Sequence, residues 1–150
     1  MAYQKTFAMF KPGALQRRIV GELITRMERK GLKIISMKLM LASEKLLQEH
    51  YAEHKGTPFF DDLASYVSSS PLLALVVAGE DAIPMLRLLC GATKVDQAVP
   101  GTIRGDFAAA TTKNIIHASD SPESAEREIA LWFEEREILE WDDPNKEWFV

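Results

Sequence analysis

The chain has 150 residues, 47% of them hydrophobic, and a formal net charge of -4. That is enough apolar material for one core and one domain spanning residues 1–150, and the acidic balance argues against bulk binding to nucleic acid or anionic membranes. A single cysteine, Cys90, excludes an intrachain disulfide and a cysteine-based metal cluster.

The N-terminal residues carry no signal-peptide pattern, and no apolar run approaches membrane-spanning length, so a soluble, cytoplasmic protein with no membrane partner is expected. Residues 6–10 are apolar on both faces and read as a central strand. Val20, Leu23, Ile24 and Met27 are spaced i, i+3, i+4, i+7, which predicts an amphipathic helix over residues 19–30 closed by Gly31. Residues 33–41 alternate. Ile35, Met37, Leu39 and Leu41 are expected on one buried face, with Ser36 and Lys38 on a less buried one.

Ser43 is a good N-cap for a helix through about Lys55, and Gly56, Thr57 and Pro58 break it before a second helix over residues 59–69. Residues 72–78 are wholly apolar and predict another buried strand. Asp81 is expected to cap a helix that Gly91 closes, with Pro84 tolerated in its first turn. Residues 92–113 read as a long irregular loop, and loops of that length are usually functional. Ile115 and Ile116 give a short strand. Ser121 caps a helix over residues 122–136 with Pro122 at its first position. Trp141, Trp148 and Phe149 in a polar tail suggest docking on this subunit or a neighbour. The pattern predicts an α/β fold with one sheet of about four strands.

His117 is placed by this reading at a strand end beside a helix N-terminus, where unpaired N–H donors favour anions. A neutral imidazole there suggests phosphoryl chemistry, because it can attack phosphorus without first losing a proton. Glu128 borders the apolar stripe of Ala125, Ile129 and Trp132. It is either a solvated carboxylate or a partly buried one that orients His117. Lys11, Arg87 and Arg104 could together clamp a polyphosphate, with Arg104 between glycines that let backbone approach a ligand. His50, Glu53 and His54 form an H-x-x-E-H pattern that would match a zinc protease, although the chain is short for one and no third ligand is indicated. No Gly-rich P-loop is present.

At Pro100-Gly101-Thr102-Ile103-Arg104-Gly105-Asp106 and Asn114-Ile115-Ile116-His117-Ala118-Ser119-Asp120-Ser121 the chain resembles the nucleoside diphosphate kinase family. Lys11-Pro12, Gln16-Arg17, Glu49-His50-Tyr51 and Pro58-Phe59-Phe60 extend the resemblance over nearly the whole chain. It implies a ferredoxin-like α/β sandwich with a four-stranded antiparallel sheet. It also implies ping-pong transfer of a γ-phosphate between nucleoside tri- and diphosphates, with Mg²⁺ held through the nucleotide phosphates and not by protein ligands. By the resemblance His117 matches the phosphorylated nucleophile, Glu128 the carboxylate that positions it, and Ser119 a residue bonded to that carboxylate. Lys11, Arg87, Thr93 and Arg104 match the phosphate clamp, and Tyr51 a residue near the active site. Phe59 matches the aromatic on which the base stacks, Leu63 packs beside it, Thr111 stands near the base, and Asn114 matches the ligand of the sugar 3′-hydroxyl. Family members form hexamers or tetramers, and the aromatic tail favours a hexamer. Broad nucleoside specificity is expected, since stacking tolerates any base. The chain departs from the family pattern at Gly13-Ala14, at Lys94-Val95 where Asn-Pro is usual, at Ala118 where Gly is common, and at Thr111 where valine is frequent.

Overall fold

The computed structural model describes residues 2–149. Four strands, β1 (Tyr3–Phe10), β2 (Lys33–Met40), β3 (Leu72–Glu80) and β4 (Ile116–Ala118), form one antiparallel sheet in the order β2-β3-β1-β4. Six helices cover it: α1 (Val20–Arg29), α2 (Glu44–His50), α3 (Pro58–Ser68), α4 (Ala82–Cys90), α5 (Ile103–Phe107) and α6 (Pro122–Trp132).

Strand periodicity divides the apolar side chains between the two faces of the sheet. Ala8, Phe10, Leu75 and Val77 pack with Leu23 and Met27 of α1 and Leu86 of α4. Phe7, Met9, Ala74 and Val76 pack on the other face with Leu47 of α2, Val67 of α3 and Trp132 of α6. Both faces are therefore dry. That explains why β1 and β3 read as unbroken apolar runs and not as alternating ones. The same alternation sends Ile116 and Ala118 into the first layer and leaves His117 between them on the second, toward Phe7.

Several sequence expectations are corrected. In β2 the pairing shifts between Ile34 and Ser36, so Ile35 is an extra, bulged residue. A one-residue slip moves every later side chain to the other face. Ile35 is buried, while Met37, Leu39 and Leu41 are 49%, 62% and 64% exposed. The helix expected to reach Lys55 stops at His50, and a short 3₁₀ turn over Ala52–His54 follows. Asp81 precedes α4 with φ +50° and makes no side-chain cap; its carboxylate accepts from the Ala2 N–H instead. The connection between α4 and β4 is not structureless, since it holds α5 and two 3₁₀ turns, Val95–Gln97 and Thr111–Lys113. Ile115 lies outside β4 with φ +75°, and α6 ends at Trp132, not Arg136. The tail docks in part on its own chain: the Trp141 indole donates to the Ile34 carbonyl at 2.9 Å, whereas Trp148 is 80% exposed.

Candidate active site

The end of β1, the turn before β4 and the first layer of α6 meet at one place. Lys11, just past β1, is buried, and its Nζ donates to Asn114 Oδ1 at 2.8 Å. Its backbone N–H donates to the Ile115 carbonyl at 2.7 Å. Ile115 sits in the left-handed region, where a β-branched residue is strained. The Ile116 N–H closes a tight turn onto the Asn114 carbonyl at 2.8 Å. This turn re-aims the chain so that Asn114 faces Lys11 and His117 enters the sheet opposite Met9.

His117 Nε2 lies 2.7 Å from Glu128 Oε1, and Ser119 Oγ donates to the same oxygen at 2.7 Å. Glu128 is buried on α6. Burial alone would raise its carboxyl, but hydrogen bonds from His117 and Ser119 and the charge of His117 hold it below the ordinary carboxylate range. A carboxylate accepts only, so the imidazole proton is on Nε2 and the Nδ1 lone pair is left exposed. Among the described residues no group bonds Nδ1. The ring is half-sheltered by Phe7, 5.8 Å away, and by the His50 ring, 4.6 Å away at 81°.

Three cations bond to the segment that carries His117. Burial, with the Arg104 charge, pushes the Lys11 ammonium down to about 8. Arg87 donates to the Ala118 carbonyl at 3.0 Å and lines a cleft with Gly91, Thr93, Asp120 and Ser121. Arg104 is 3% exposed, and its guanidinium donates to the carbonyls of Gly91 (2.9 Å), Ile116 (2.6 Å) and Asn114 (3.4 Å). It therefore fastens α4 to the turn before β4. The glycine flanking it is not there to admit a ligand: a Cβ on Gly105 would stand 1.9 Å from the Val99 carbonyl oxygen, so the loop's own fold requires it. Thr102 caps α5 by accepting from Gly105 N–H, and Asp106 accepts from Gly101 N–H and pairs with Arg26 at 2.7 Å.

Tyr51 is buried, and its hydroxyl has no hydrogen-bond partner among the described residues. Such an orphan is costly unless a ligand meets it. Phe59 is 55% exposed on α3, braced edge-on by His54 at 5.1 Å, and Leu63 is partly buried one turn along. Thr111 Oγ1 accepts from Val95 N–H at 3.0 Å, so it ties the two 3₁₀ turns together.

The zinc-protease pattern dissolves in three dimensions. His50 turns into the core while His54 leans on Phe59, because the helix breaks between them. His50, His117 and Glu128 do offer ligand atoms within 4.8 Å of one another. However, Trp132 Nε1–H donates to His50 Nδ1 at 3.0 Å, which puts the His50 proton on Nε2 and leaves that ring no free lone pair for a cation. His50 and Trp132 are the site residues that sequence reasoning missed. The H-x-x-E-H pattern drew attention to His50 for another reason.

The family model for nucleoside diphosphate kinase matches residues 4–138. A nucleoside diphosphate kinase of Treponema pallidum (strain Nichols) is 52% identical over 149 residues, 99% of this chain and 100% of that one. One from Archaeoglobus fulgidus is 50% identical over 97% of this chain and 96% of its own length. Among solved structures, a halophilic nucleoside diphosphate kinase from Halobacterium salinarum in complex with CDP superposes with a TM-score of 0.96 at 44% identity, covering 99% of both chains. No helix among the described residues is long and apolar enough to cross a membrane.

Proposed function

The chain belongs to the nucleoside diphosphate kinase family, and from that premise we propose that His117 Nδ1 is the atom that carries the phosphoryl group. The activity is the family's: a γ-phosphoryl group moves from a nucleoside triphosphate to a nucleoside diphosphate through a phosphohistidine. One observation supports the residue assignment above the rest. Glu128, itself held by Ser119, anchors His117 through Nε2, so the opposite nitrogen is presented as a lone pair.

In the first half-reaction the Nδ1 lone pair forms a bond to the γ-phosphorus while the bond to the bridging β-oxygen breaks, and the nucleoside diphosphate leaves with that electron pair. The ring becomes a phosphorylated imidazolium. Its Nε2 proton stays on the ring, and its positive charge is stabilised by the Glu128 carboxylate. The second half-reaction is the reverse onto a new diphosphate. Both substrates carry a polyphosphate, so one set of cations serves both, and catalysis is mainly positioning and charge stabilisation. Lys11, Arg87 and Arg104, with Thr93 and the unpartnered Tyr51 hydroxyl, supply that environment. Asn114, aligned by Lys11, suits a sugar hydroxyl, and Phe59 with Leu63 and Thr111 suits the base.

Mg²⁺ fits this site only as a passenger on the nucleotide. Magnesium prefers oxygen ligands in an octahedron and keeps its waters. Among the described residues, the one compact cluster of potential ligands is nitrogen-rich and already hydrogen-bonded. Bound to the phosphates, the ion would neutralise charge on them, and no protein ligand is assigned.

We read residues 1–150 as one domain and the assembly as a homo-oligomer, with a hexamer favoured. Edge strand β2 carries Met37 and Leu39 exposed, with Leu41 just past its end, a patch that a second copy would cover. Light scattering on the purified protein should give six or four chains, and a monomer would refute the oligomer. A cytoplasmic location belongs to the same reading.

The decisive experiment is intact-mass analysis after brief incubation with Mg·ATP. Wild type should gain one acid-labile phosphoryl group and lose it on adding any nucleoside diphosphate, while His117→Ala should gain none. No gain in folded wild type would overturn the assignment.

A further inference from the structure

His50 is a buried titratable group that the mechanism above leaves unused. It is 4% exposed at the C-terminal end of α2. Its Nδ1 accepts from the Trp132 indole, and an indole N–H can only donate. The ring is thus committed to one tautomer, neutral with its proton on Nε2. It stands nearly perpendicular to His117 at 4.6 Å and to Tyr51 at 4.5 Å. Phe7 closes the other side, 5.9 Å from His50. Arg127 donates from one terminal nitrogen to the Glu49 carbonyl at 3.1 Å and from the other to the His50 carbonyl at 3.3 Å. The helix that carries Glu128 is therefore fastened to the end of the helix that carries His50.

The Nε2–Glu128 bond fixes one end of the His117 ring, but it does not fix the plane. Histidine χ2 has broad, roughly two-fold wells, so rotation about that torsion must be stopped by packing. The perpendicular face of His50 and the tilted ring of Phe7 do that. The charge state of His50 matters equally. Its surroundings are His117, Glu128, Arg127, Lys11 and Tyr51. Burial and the charge on His117 oppose its protonation, Glu128 favours it, and Arg127 and Lys11 oppose it further; the imidazole is pushed down to about 3. Arg127 already stands 3.8 Å from the second Glu128 oxygen; a charged His50 would add another cation within 4.8 Å of that carboxylate and would compete with His117 for it.

We propose that His50, locked by Trp132 as a neutral ring, is a positioning residue for phosphoryl transfer: it holds the plane of His117 with Nδ1 presented, and it keeps another cation away from Glu128. This rests on His117 being the nucleophile. It assigns to the Trp132 N–H a role in orienting the reacting ring, not only in core packing.

The test compares Trp132→Phe, which keeps a ring against Phe7 but removes the N–H, with wild type and with His50→Phe. Single-turnover phosphohistidine formation is followed by intact mass over a range of nucleotide concentrations. Trp132→Phe should lower the maximal single-turnover rate about tenfold with the half-saturating nucleotide concentration little changed, because the His50 ring is released while the substrate contacts are kept. His50→Phe should also be slower, and Trp132→Phe in the His50→Phe background should cost little more, because the indole N–H acts only through His50. Equal maximal rates for Trp132→Phe and wild type, or losses that simply add in the double variant, would overturn the proposal. If Trp132→Phe does not fold, ¹⁵N spectra of histidine-labelled wild type decide: the His50 proton should sit on Nε2 throughout, and a proton on Nδ1 or a charged ring would overturn it. A folded wild type that takes up no phosphoryl group would instead defeat the His117 assignment.

Discussion

Lys11 Nζ donates to Asn114 Oδ1 at 2.8 Å, joining the end of β1 to the strained turn before β4 across 103 positions of chain. The bond serves two ends. It holds a desolvated ammonium where a phosphate can meet it, and it orients the Asn114 amide so that its NH₂ group faces the other way, toward Thr93 O at 3.4 Å. Desolvation makes the lysine a poor base-side charge. Its ammonium lies near 8, and burial is the first cause. For the free enzyme, kcat/KM should fall as pH rises through about 8, approaching about tenfold per pH unit as the cation is lost. Lys11→Arg cannot titrate in this range, so its slower profile should lack that basic limb. A limb that persists in Lys11→Arg would assign it to another group.

Glu128 has the opposite sign. Its carboxyl is held down by His117 and Ser119 against the raising effect of burial. A carboxylate whose folded pKa is depressed contributes stability above its unfolded value, and loses it as pH falls through the lower folded one. Glu128→Gln keeps an acceptor but removes the charge. Phosphohistidine formation should drop about 10–100-fold, with Ser119→Ala costing less, because the serine acts only through the carboxylate. The gap in thermal stability between wild type and Glu128→Gln should narrow below the ordinary carboxylate range. A gap that is constant with pH would mean that the charge contributes nothing.

Arg104 shows how a residue matched to a phosphate clamp also builds the site. Three of its N–H groups satisfy backbone carbonyls of Gly91, Asn114 and Ile116. Lysine lacks the planar fork and would leave buried carbonyls unpaired. Arg104→Lys should therefore lower stability by about 2–4 kcal/mol, measured by denaturant unfolding. Arg87, which meets one carbonyl, should tolerate lysine with less than half that loss. Equal losses at the two positions would contradict this division.

The reach of the sequence follows from these contacts. β1 and β3 are legible as unbroken apolar runs because both faces of the sheet are covered, and α1 is legible by its helical periodicity. The alternation in β2 was misread because a bulge at Ile35 reverses its faces, and a single extra residue leaves no mark in a hydropathy pattern. Glu128 can be read as a stripe-edge carboxylate, yet its burial depends on His117 of β4 and Ser119 just past it packing against α6. Ile115 looked like a strand residue because isoleucine favours strands; tertiary contacts from Lys11 hold it at φ +75° instead. The role of His50 was hidden because it depends on Trp132, 82 positions away, choosing its tautomer.

The Lys94-Val95 departure gives the last prediction. From sequence alone, a proline at position 95 would rigidify the loop. Proline at a compatible position stabilises by about 0.4–1 kcal/mol through the unfolded chain. The backbone suits it, since Lys94 is extended and Val95 opens a 3₁₀ turn. But the Val95 N–H donates to Thr111 Oγ1 at 3.0 Å, and proline has no N–H. Losing that bond costs about 0.5–1.5 kcal/mol, so Val95→Pro alone should change stability little. In a Thr111→Val background the acceptor is already gone, and the same substitution should then stabilise by about 0.4–1 kcal/mol. Denaturant midpoints for the four proteins of this cycle measure the coupling directly. Val95→Pro acting identically in both backgrounds would show that the Val95–Thr111 bond does not hold the two turns together.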